Sequence, residues 1–174
     1  MNNKFFLFVS LVISLGMLFS SCTKKDTTTP YTNYGLYYFV GVGSASQVVP
    51  ANPKDSSTGG AEFYGVYDST LQIFNYTLSW TGLTSKVTGM NFYNGADSGQ
   101  VAASTRVIAT YNSTSYLSTS YTYRSIIWNY GRLTGTEVAN MINGKWYFSI
   151  FTQNYNSSVG GEIRGQIKYA GFVK

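Results

Sequence analysis

The chain has 174 residues, a formal charge of +5 and more aromatic residues (17%) than charged ones (11%), which fits one domain plus leader segments. It contains no histidine and one cysteine, which excludes imidazole and thiolate zinc sites, histidine-dependent catalytic triads and a disulfide within the chain. Its lysines and arginines are scattered rather than clustered, so we expect no nucleic-acid partner.

The N-terminus has the pattern of a lipoprotein signal peptide. An apolar run from Phe5 to Phe19 is too short to span a membrane, which takes roughly 20 helical residues, but it matches the apolar part of a secretory signal. Ser20-Ser21-Cys22 then resembles a lipobox, although Phe19 stands where leucine is usual. We predict a signal peptide over residues 1–21 and lipidation of Cys22. A cleaved secretory peptide with an incidental cysteine, or an uncleaved anchor, is the alternative.

Residues 22–34 follow as a polar segment with no periodicity and with one proline, Pro30, which predicts a flexible tether. Its first charged residues resemble export signals of Bacteroidetes surface lipoproteins, but an ordinary solvated linker is the favoured interpretation. The lipid on Cys22 is expected to hold the chain in the bacterial cell envelope, at the outer membrane. The sequence leaves open which face of that membrane the chain occupies.

Residues 35–174 predict a single β-rich domain. Segments rich in Tyr, Phe, Val and Thr, separated by Gly, Ser and Asn, are typical of strands and turns. The predicted strands are Leu36–Val42, Ala61–Tyr67, Leu71–Trp80, Lys86–Tyr93, Thr105–Tyr111, Tyr121–Asn129, Trp146–Thr152 and Gly161–Tyr169. A tight turn at Asp68-Ser69 is expected to join the second strand to the third.

One short helix is predicted before the seventh strand. Thr134 and Glu137 have the spacing of a capping box, Val138 and Met141 lie on one helical face, and Gly144 can end the helix in a left-handed conformation. Eight closely spaced strands with one short helix predict an all-β fold, an immunoglobulin-like antiparallel β-sandwich.

The last predicted strand alternates in character. Glu162, Arg164 and Gln166 share one face and the apolar residues share the other, which predicts a half-buried strand. Arginine binds carboxylates in a bidentate manner, so Glu162 and Arg164 offer one candidate docking point for a partner. The favoured alternative is that these two residues pair across strands or cap a loop.

Several segments, in order along residues 36–169, resemble the CHRD domain, a β module first described in chordin and common in bacterial secreted proteins. They are Gln47-Val48-Val49-Pro50, Asn75-Tyr76-Thr77-Leu78, Thr81-Gly82-Leu83, the short helix, and Gly160-Gly161-Glu162-Ile163-Arg164-Gly165-Gln166. The resemblance implies a β-sandwich and, by analogy with chordin, protein binding. It also implies structural roles for Gly161, Glu162, Arg164 and Gly165.

The resemblance breaks at three positions. CHRD domains carry a His-x-His element and a third histidine, to which Asn91, Tyr93 and Phe151 correspond here. None of these side chains is a good transition-metal ligand, so we expect neither a metal nor another cofactor.

The candidate ligand contacts are Tyr111, Tyr116, Tyr121 and Tyr123, which alternate with small hydroxyl residues. Such tyrosines form amphipathic contact surfaces and stack on sugars, although the favoured alternative places one tyrosine face in the core. No nucleophile and base can be assembled, so we expect a non-enzymatic binding or cell-surface interaction module whose ligand is a protein or a polysaccharide. The alternative is a glycan-binding module that uses the tyrosines, and a hydrolase is the remote alternative.

Overall fold

The computed structural model describes residues 34–50, 57–111, 114–127, 132–156, 158 and 160–174. The predicted signal peptide, the lipidated Cys22 and nearly all of the predicted tether lie outside these residues. No helix in the described part is long and apolar enough to cross a membrane.

Eight strands and one α-helix occur in the described residues, together with a single 3-10 turn at Ala45–Gln47. The strands are β1 Leu36–Ser44, β2 Gly60–Asp68, β3 Ile73–Thr81, β4 Val87–Asn94, β5 Ser104–Thr110, β6 Tyr121–Ile127, β7 Trp146–Thr152 and β8 Ile163–Val173. The helix, α1, spans Gly135–Ile142. Each predicted strand therefore exists: β7 has the predicted ends, the ends of the others lie within a few residues of the prediction, and the predicted end of the sixth strand at Asn129 lies outside the described residues.

All eight strands belong to one antiparallel sheet with the order β5-β4-β7-β8-β1-β2-β3-β6. The sheet curls until β2 and β3 face β4 and β7. The Phe63 ring lies 5.7 Å from the Phe92 ring and 6.0 Å from that of Phe148, and Tyr76 lies 5.0 Å from Phe92. The predicted all-β antiparallel sandwich is confirmed, and its two layers are halves of one continuous sheet.

Strand β3 shows why the sequence folds in this way. Phe74, Tyr76, Leu78 and Trp80 alternate with polar residues and are all buried, because successive side chains of a strand point to opposite faces. The polar positions between them stay on the outer face of the sheet. That outer face carries the groove described below.

The β2–β3 connection is longer than the predicted two-residue turn. Asp68 Oδ1 accepts hydrogen bonds from the backbone N–H of Thr70 (2.8 Å) and of Leu71 (3.0 Å), and Gln72 has φ 56°. The aspartate side chain therefore takes up turn N–H groups that would otherwise join the ladder. For this reason β3 begins at Ile73 rather than at Leu71.

Helix α1 has the predicted capping box. The Thr134 hydroxyl accepts from the Glu137 N–H (3.2 Å), and the Glu137 carboxylate accepts from the Thr134 N–H (2.7 Å). Gly144 follows the helix with φ 69°, as expected for a glycine that ends a helix. The apolar side chains of Val138 and Met141 are buried in the core.

The predicted half-buried character of the last strand is wrong for its first half, since residues 163–167 are buried on both faces. The chain covers the polar face: Gln166 Nε2 donates to the Ala96 (3.1 Å) and Gly144 (2.6 Å) carbonyls, and Arg164 Nη2 donates to the Gln100 carbonyl (2.7 Å). These bonds give partners to the Gln166 amide nitrogen and to one nitrogen of the Arg164 guanidinium, which burial would otherwise leave unpaired. Residues 168–170 are exposed, so the outer face opens there.

Candidate functional site

A groove of about 570 Å³ crosses the outer face of β1, β2, β3 and β6 at one end of these strands. We call it the outer groove. It is lined among others by Val42, Glu62, Ser79, Thr81, Tyr121 and Thr122. The strand register explains the alignment, because Val42 is paired with Glu62, Glu62 with Ser79, and Ser79 with Thr122. Antiparallel pairing thus brings residues of four strands, the consecutive β1, β2 and β3 and the more distant β6, into one row.

Hydroxyl groups dominate the polar wall of the outer groove. Ser79 Oγ lies 3.2 Å from Thr122 Oγ1, and Thr81 Oγ1 lies 3.1 Å from Ser120 Oγ. Each hydroxyl can donate one hydrogen bond and accept others, so these pairs can rearrange around a polar ligand. Glu62, whose side chain is exposed, supplies the carboxylate of the groove.

Gly60 lines the outer groove and adds no side chain to it. Gly60 is paired with Thr81 and Ser44 in neighbouring strands, and a Cβ placed on Gly60 would meet only the Gly43 carbonyl oxygen, at 3.9 Å. Gly60 therefore leaves open space where other residues would project a side chain. A side chain at this position would therefore start in open space and extend toward the groove.

The structure separates the four tyrosines that the sequence singled out. Tyr121, on the edge strand β6, lines the outer groove, is 48% exposed, and has its ring 5.7 Å from the buried Trp80 ring. Tyr111 and Tyr123 are half-buried and pack against the core, and Tyr116 is half-buried in the segment before β6. Only Tyr121 thus contributes to the groove.

Three of these tyrosines nevertheless lie near one another. The pKa of Tyr111 is raised to about 12, chiefly by burial and to a smaller extent by electrostatic repulsion from Tyr123 and Tyr121. The neutral phenol of Tyr111 is therefore strongly favoured in the folded chain.

The Glu162 carboxylate lies on the opposite half of the sheet and is 1% exposed. One oxygen accepts from the Ser57 hydroxyl (2.6 Å) and the Thr84 N–H (2.7 Å). The other accepts from the Thr84 hydroxyl (2.9 Å) and the Thr152 hydroxyl (2.7 Å). Glu162 thus ties two loops to the end of β7, and it forms no ion pair with Arg164.

Arg164 is also buried, at 3% exposure. Its guanidinium carbon lies 3.6 Å from the centre of the Tyr147 ring, and the Tyr147 ring is stacked on Tyr93 at 4.7 Å with an interplanar angle of 6°. Burial lowers the pKa of Arg164, and Tyr147 opposes that shift. Burial likewise raises the pKa of Tyr147, whose hydroxyl accepts from the Ala102 N–H at 3.3 Å.

Asn91, Tyr93 and Phe151, which correspond to the histidines of CHRD domains, lie on β4 and β7, the same half of the sheet as Arg164 and Tyr147. The Asn91 amide donates weakly to the Tyr93 hydroxyl (3.4 Å), whereas Phe151 is buried. Across the described ranges, no three His, Cys, Asp or Glu side chains form a group that could hold a metal ion. Two glycines of the segment 160–166, which we call the closing motif, leave no room for a side chain. A Cβ on Gly161 would lie 2.7 Å from the Ile150 carbonyl oxygen, and a Cβ on Gly165 would overlap the Phe148 ring.

Sequence reasoning missed most of the outer groove. Its residues Val42, Glu62 and Thr122 stand on three different strands, so only the register brings them together. The alternation of Thr77, Ser79 and Thr81 on β3 was the one signal of a hydroxyl-lined face.

The sequence model of the CHRD domain matches residues 39–167, well over half of the chain. Comparison of the whole chain with curated proteins and with solved structures found no match.

Proposed function

We propose that this chain, which belongs to the CHRD domain family, is a lipid-anchored, extracytoplasmic, non-enzymatic binding module whose outer groove holds an oligosaccharide. The observation that carries the proposal is the groove itself, which combines a half-exposed tyrosine, rows of hydroxyls and one carboxylate in about 570 Å³. That volume lies within the roughly 300–1,000 Å³ that is usual for ligand sites.

The chemistry of the lining favours a sugar. Aromatic rings pack against the C–H faces of sugars, and Tyr121, a lining residue that is 48% exposed, carries such a ring beside that of Trp80. The hydroxyl pairs Ser79–Thr122 and Thr81–Ser120 can donate to or accept from sugar hydroxyls. A groove that spans four strands suits a chain-like ligand better than a compact one.

The charges support binding rather than cleavage. Glycosidases use two carboxyl groups about 5–10 Å apart. In the described residues, Glu62 is the one carboxylate that lines the groove, and Glu162 is held elsewhere by four hydrogen bonds. A groove with a single carboxylate can hold a glycan but lacks the pair that hydrolysis requires.

Binding by the full-length chain to a panel of cell-wall and host oligosaccharides tests this proposal. Tyr121→Ala and Thr81→Val should each weaken binding by roughly tenfold, since each removes one strong contact. Thr110→Val replaces an exposed threonine on β5, at the opposite edge of the sheet, and should leave affinity unchanged. Equal affinity in all three variants would exclude the outer groove as the site.

A second candidate function is docking of a protein on the same outer face. Val40 (42% exposed), Val42 (69%) and Tyr64 (50%) form an exposed apolar strip beside the outer groove, and such patches often mark protein contacts. Val40→Ser would weaken a protein partner that uses this strip but would leave oligosaccharide binding intact.

The anchor belongs to the proposal as well. The apolar run from Phe5 to Phe19 and the lone Cys22 support lipidation and export, and acyl chains contribute about 0.8 kcal/mol per buried CH₂ to membrane attachment. Radiolabelled palmitate should enter the wild-type chain but not Cys22→Ser, and Cys22→Ser should move to the soluble fraction. Equal labelling of both would rule out Cys22 as the lipid site.

A further inference from the structure

We infer that Arg164 forms a second binding site, separate from the outer groove, that takes the carboxylate of a small monocarboxylic acid. The site is a cavity of about 170 Å³ on the β4–β7–β8 half of the sheet. We call it the Arg164 cavity. It is lined among others by Arg164, Tyr93, Tyr147, Ser149, Val101 and Pro50.

Arg164 is a buried charge that has no counter-ion among the described residues. Arg164 is 3% exposed, and among the described residues the only ion pair joins Arg106 to Glu137. A guanidinium has five N–H donors, and the described residues give it one hydrogen bond, to the Gln100 carbonyl, and the face of Tyr147. Burying an ion costs several kcal/mol unless an opposite charge or several hydrogen bonds offset it.

The charges of the described residues around the cavity favour an anionic ligand. Glu162, two residues before Arg164, is already bound by Ser57, Thr84 and Thr152, so it leaves the guanidinium charge uncompensated. No carboxylate lines the Arg164 cavity within the described ranges, whereas Tyr93 and Ser149, which both carry a neutral hydroxyl, are among the lining residues. A cation with neutral hydroxyl donors beside it selects negative charge.

The single positive charge and the flat aromatic wall favour a carboxylate over phosphate or sulfate. Arginine matches a planar carboxylate through two parallel N–H donors, and the stacked rings of Tyr93 and Tyr147 form a flat wall beside it. One arginine balances one negative charge, which suits a monocarboxylate better than a phosphate dianion. Val101 and Pro50 supply an apolar side for a short hydrocarbon tail.

The size sets an upper limit on the ligand. A cavity of about 170 Å³ lies below the roughly 300 Å³ at which pockets begin to enclose drug-sized molecules. A free acid of a few carbon atoms therefore fits, whereas a sugar acid fits only through its carboxylate. A small free acid and a sugar acid both present a carboxylate, so we compare the binding of propionate with that of glucuronate.

The experiment follows the arginine Nε–H signals of the full-length chain by NMR during titration. Propionate should shift the Arg164 signal saturably, while its neutral isostere propionamide and sulfate should not. Arg164→Met should weaken propionate binding more than about tenfold. Arg132→Met, which removes an exposed arginine bound to Gln72, is the matched control and should bind as the wild type does.

Each alternative outcome is decisive. Equal shifts with propionamide would exclude charge recognition, tighter sulfate binding would overturn the carboxylate assignment, and binding of glucuronate alone would overturn the small-acid assignment. Because a buried arginine variant can fail to fold, Tyr93→Phe serves as a second test. It removes the hydroxyl of a residue that lines the cavity and should weaken propionate binding several-fold, and unchanged affinity would contradict this geometry.

Discussion

Replacing Glu162 tests whether the closing motif of the domain is structural. Its carboxylate accepts four hydrogen bonds, from Ser57, Thr152 and both the N–H and the hydroxyl of Thr84. Each bond to a charged group contributes about 1.5–3 kcal/mol. The three hydroxyls can turn to other acceptors in a variant, but the Thr84 N–H cannot. For Glu162→Ala we therefore expect a loss of about 2–4 kcal/mol in the free energy of unfolding, from the unpaired N–H and the lost charge-assisted bonds.

Glu162→Gln keeps the shape of the side chain and removes its charge, so it measures how much the charge contributes to stability. The amide oxygen can keep the Ser57 hydroxyl and the Thr84 N–H, and the amide nitrogen can donate to the Thr84 and Thr152 hydroxyls after these rotate. We expect this variant to lose only about 1–2 kcal/mol, because the bonds remain but are no longer charge-assisted.

The assay is urea denaturation of the full-length wild type and variants, with the unfolding free energy taken from the midpoint and the slope. Glu62→Ala is the control, because it removes an exposed carboxylate and should change stability by no more than about 0.5 kcal/mol. A loss below about 1 kcal/mol in Glu162→Ala would refute the reasoning.

Three further predictions concern stability. Gly165→Ala should destabilise the fold by about 3 kcal/mol or more, because its Cβ would overlap the Phe148 ring, whereas Gly60→Ala, whose Cβ meets one carbonyl oxygen at an ordinary contact distance of 3.9 Å, should be near neutral in thermal unfolding. The pKa of Tyr111 is raised to about 12, so its contribution to the free energy of unfolding is present below pH 10 and lost between about pH 10 and 12. When unfolding is measured over a series of pH values, Tyr111→Phe should therefore lose less stability than the wild type in this alkaline range. Thr134→Ala should cost about 1 kcal/mol in urea denaturation, because it removes the N-cap of α1, and no change there would contradict the capping role.

Local patterns in the sequence predicted the fold well. The alternation of Phe74, Leu78 and Trp80 identified the buried face of β3, and the spacing of Thr134 and Glu137 identified the helix start. Such signals depend on neighbours within one strand or one turn. Even the chain reversal after Asp68 was placed correctly, although the turn itself is longer than expected.

The candidate site was much less predictable, because it depends on register and on distant covering segments. The outer groove forms where Val42, Glu62 and Thr122 align across four strands, and no local pattern specifies that alignment. In the same way, the alternation around Arg164 predicted an exposed face, but loop residues such as Gln100 close over it. The tyrosines had the right composition for contact, yet only Tyr121 lies at the groove.

The most direct test of the proposed function fills the outer groove from within. Gly60→Leu adds a side chain into the space that Gly60 leaves open, while Gly60→Ala adds only a methyl group. Oligosaccharide binding by the full-length chain is then compared by isothermal titration. The proposal predicts saturable binding by the wild type, near-normal binding by Gly60→Ala and none by Gly60→Leu. Equal binding by all three, or no saturable oligosaccharide for the wild type, would contradict it.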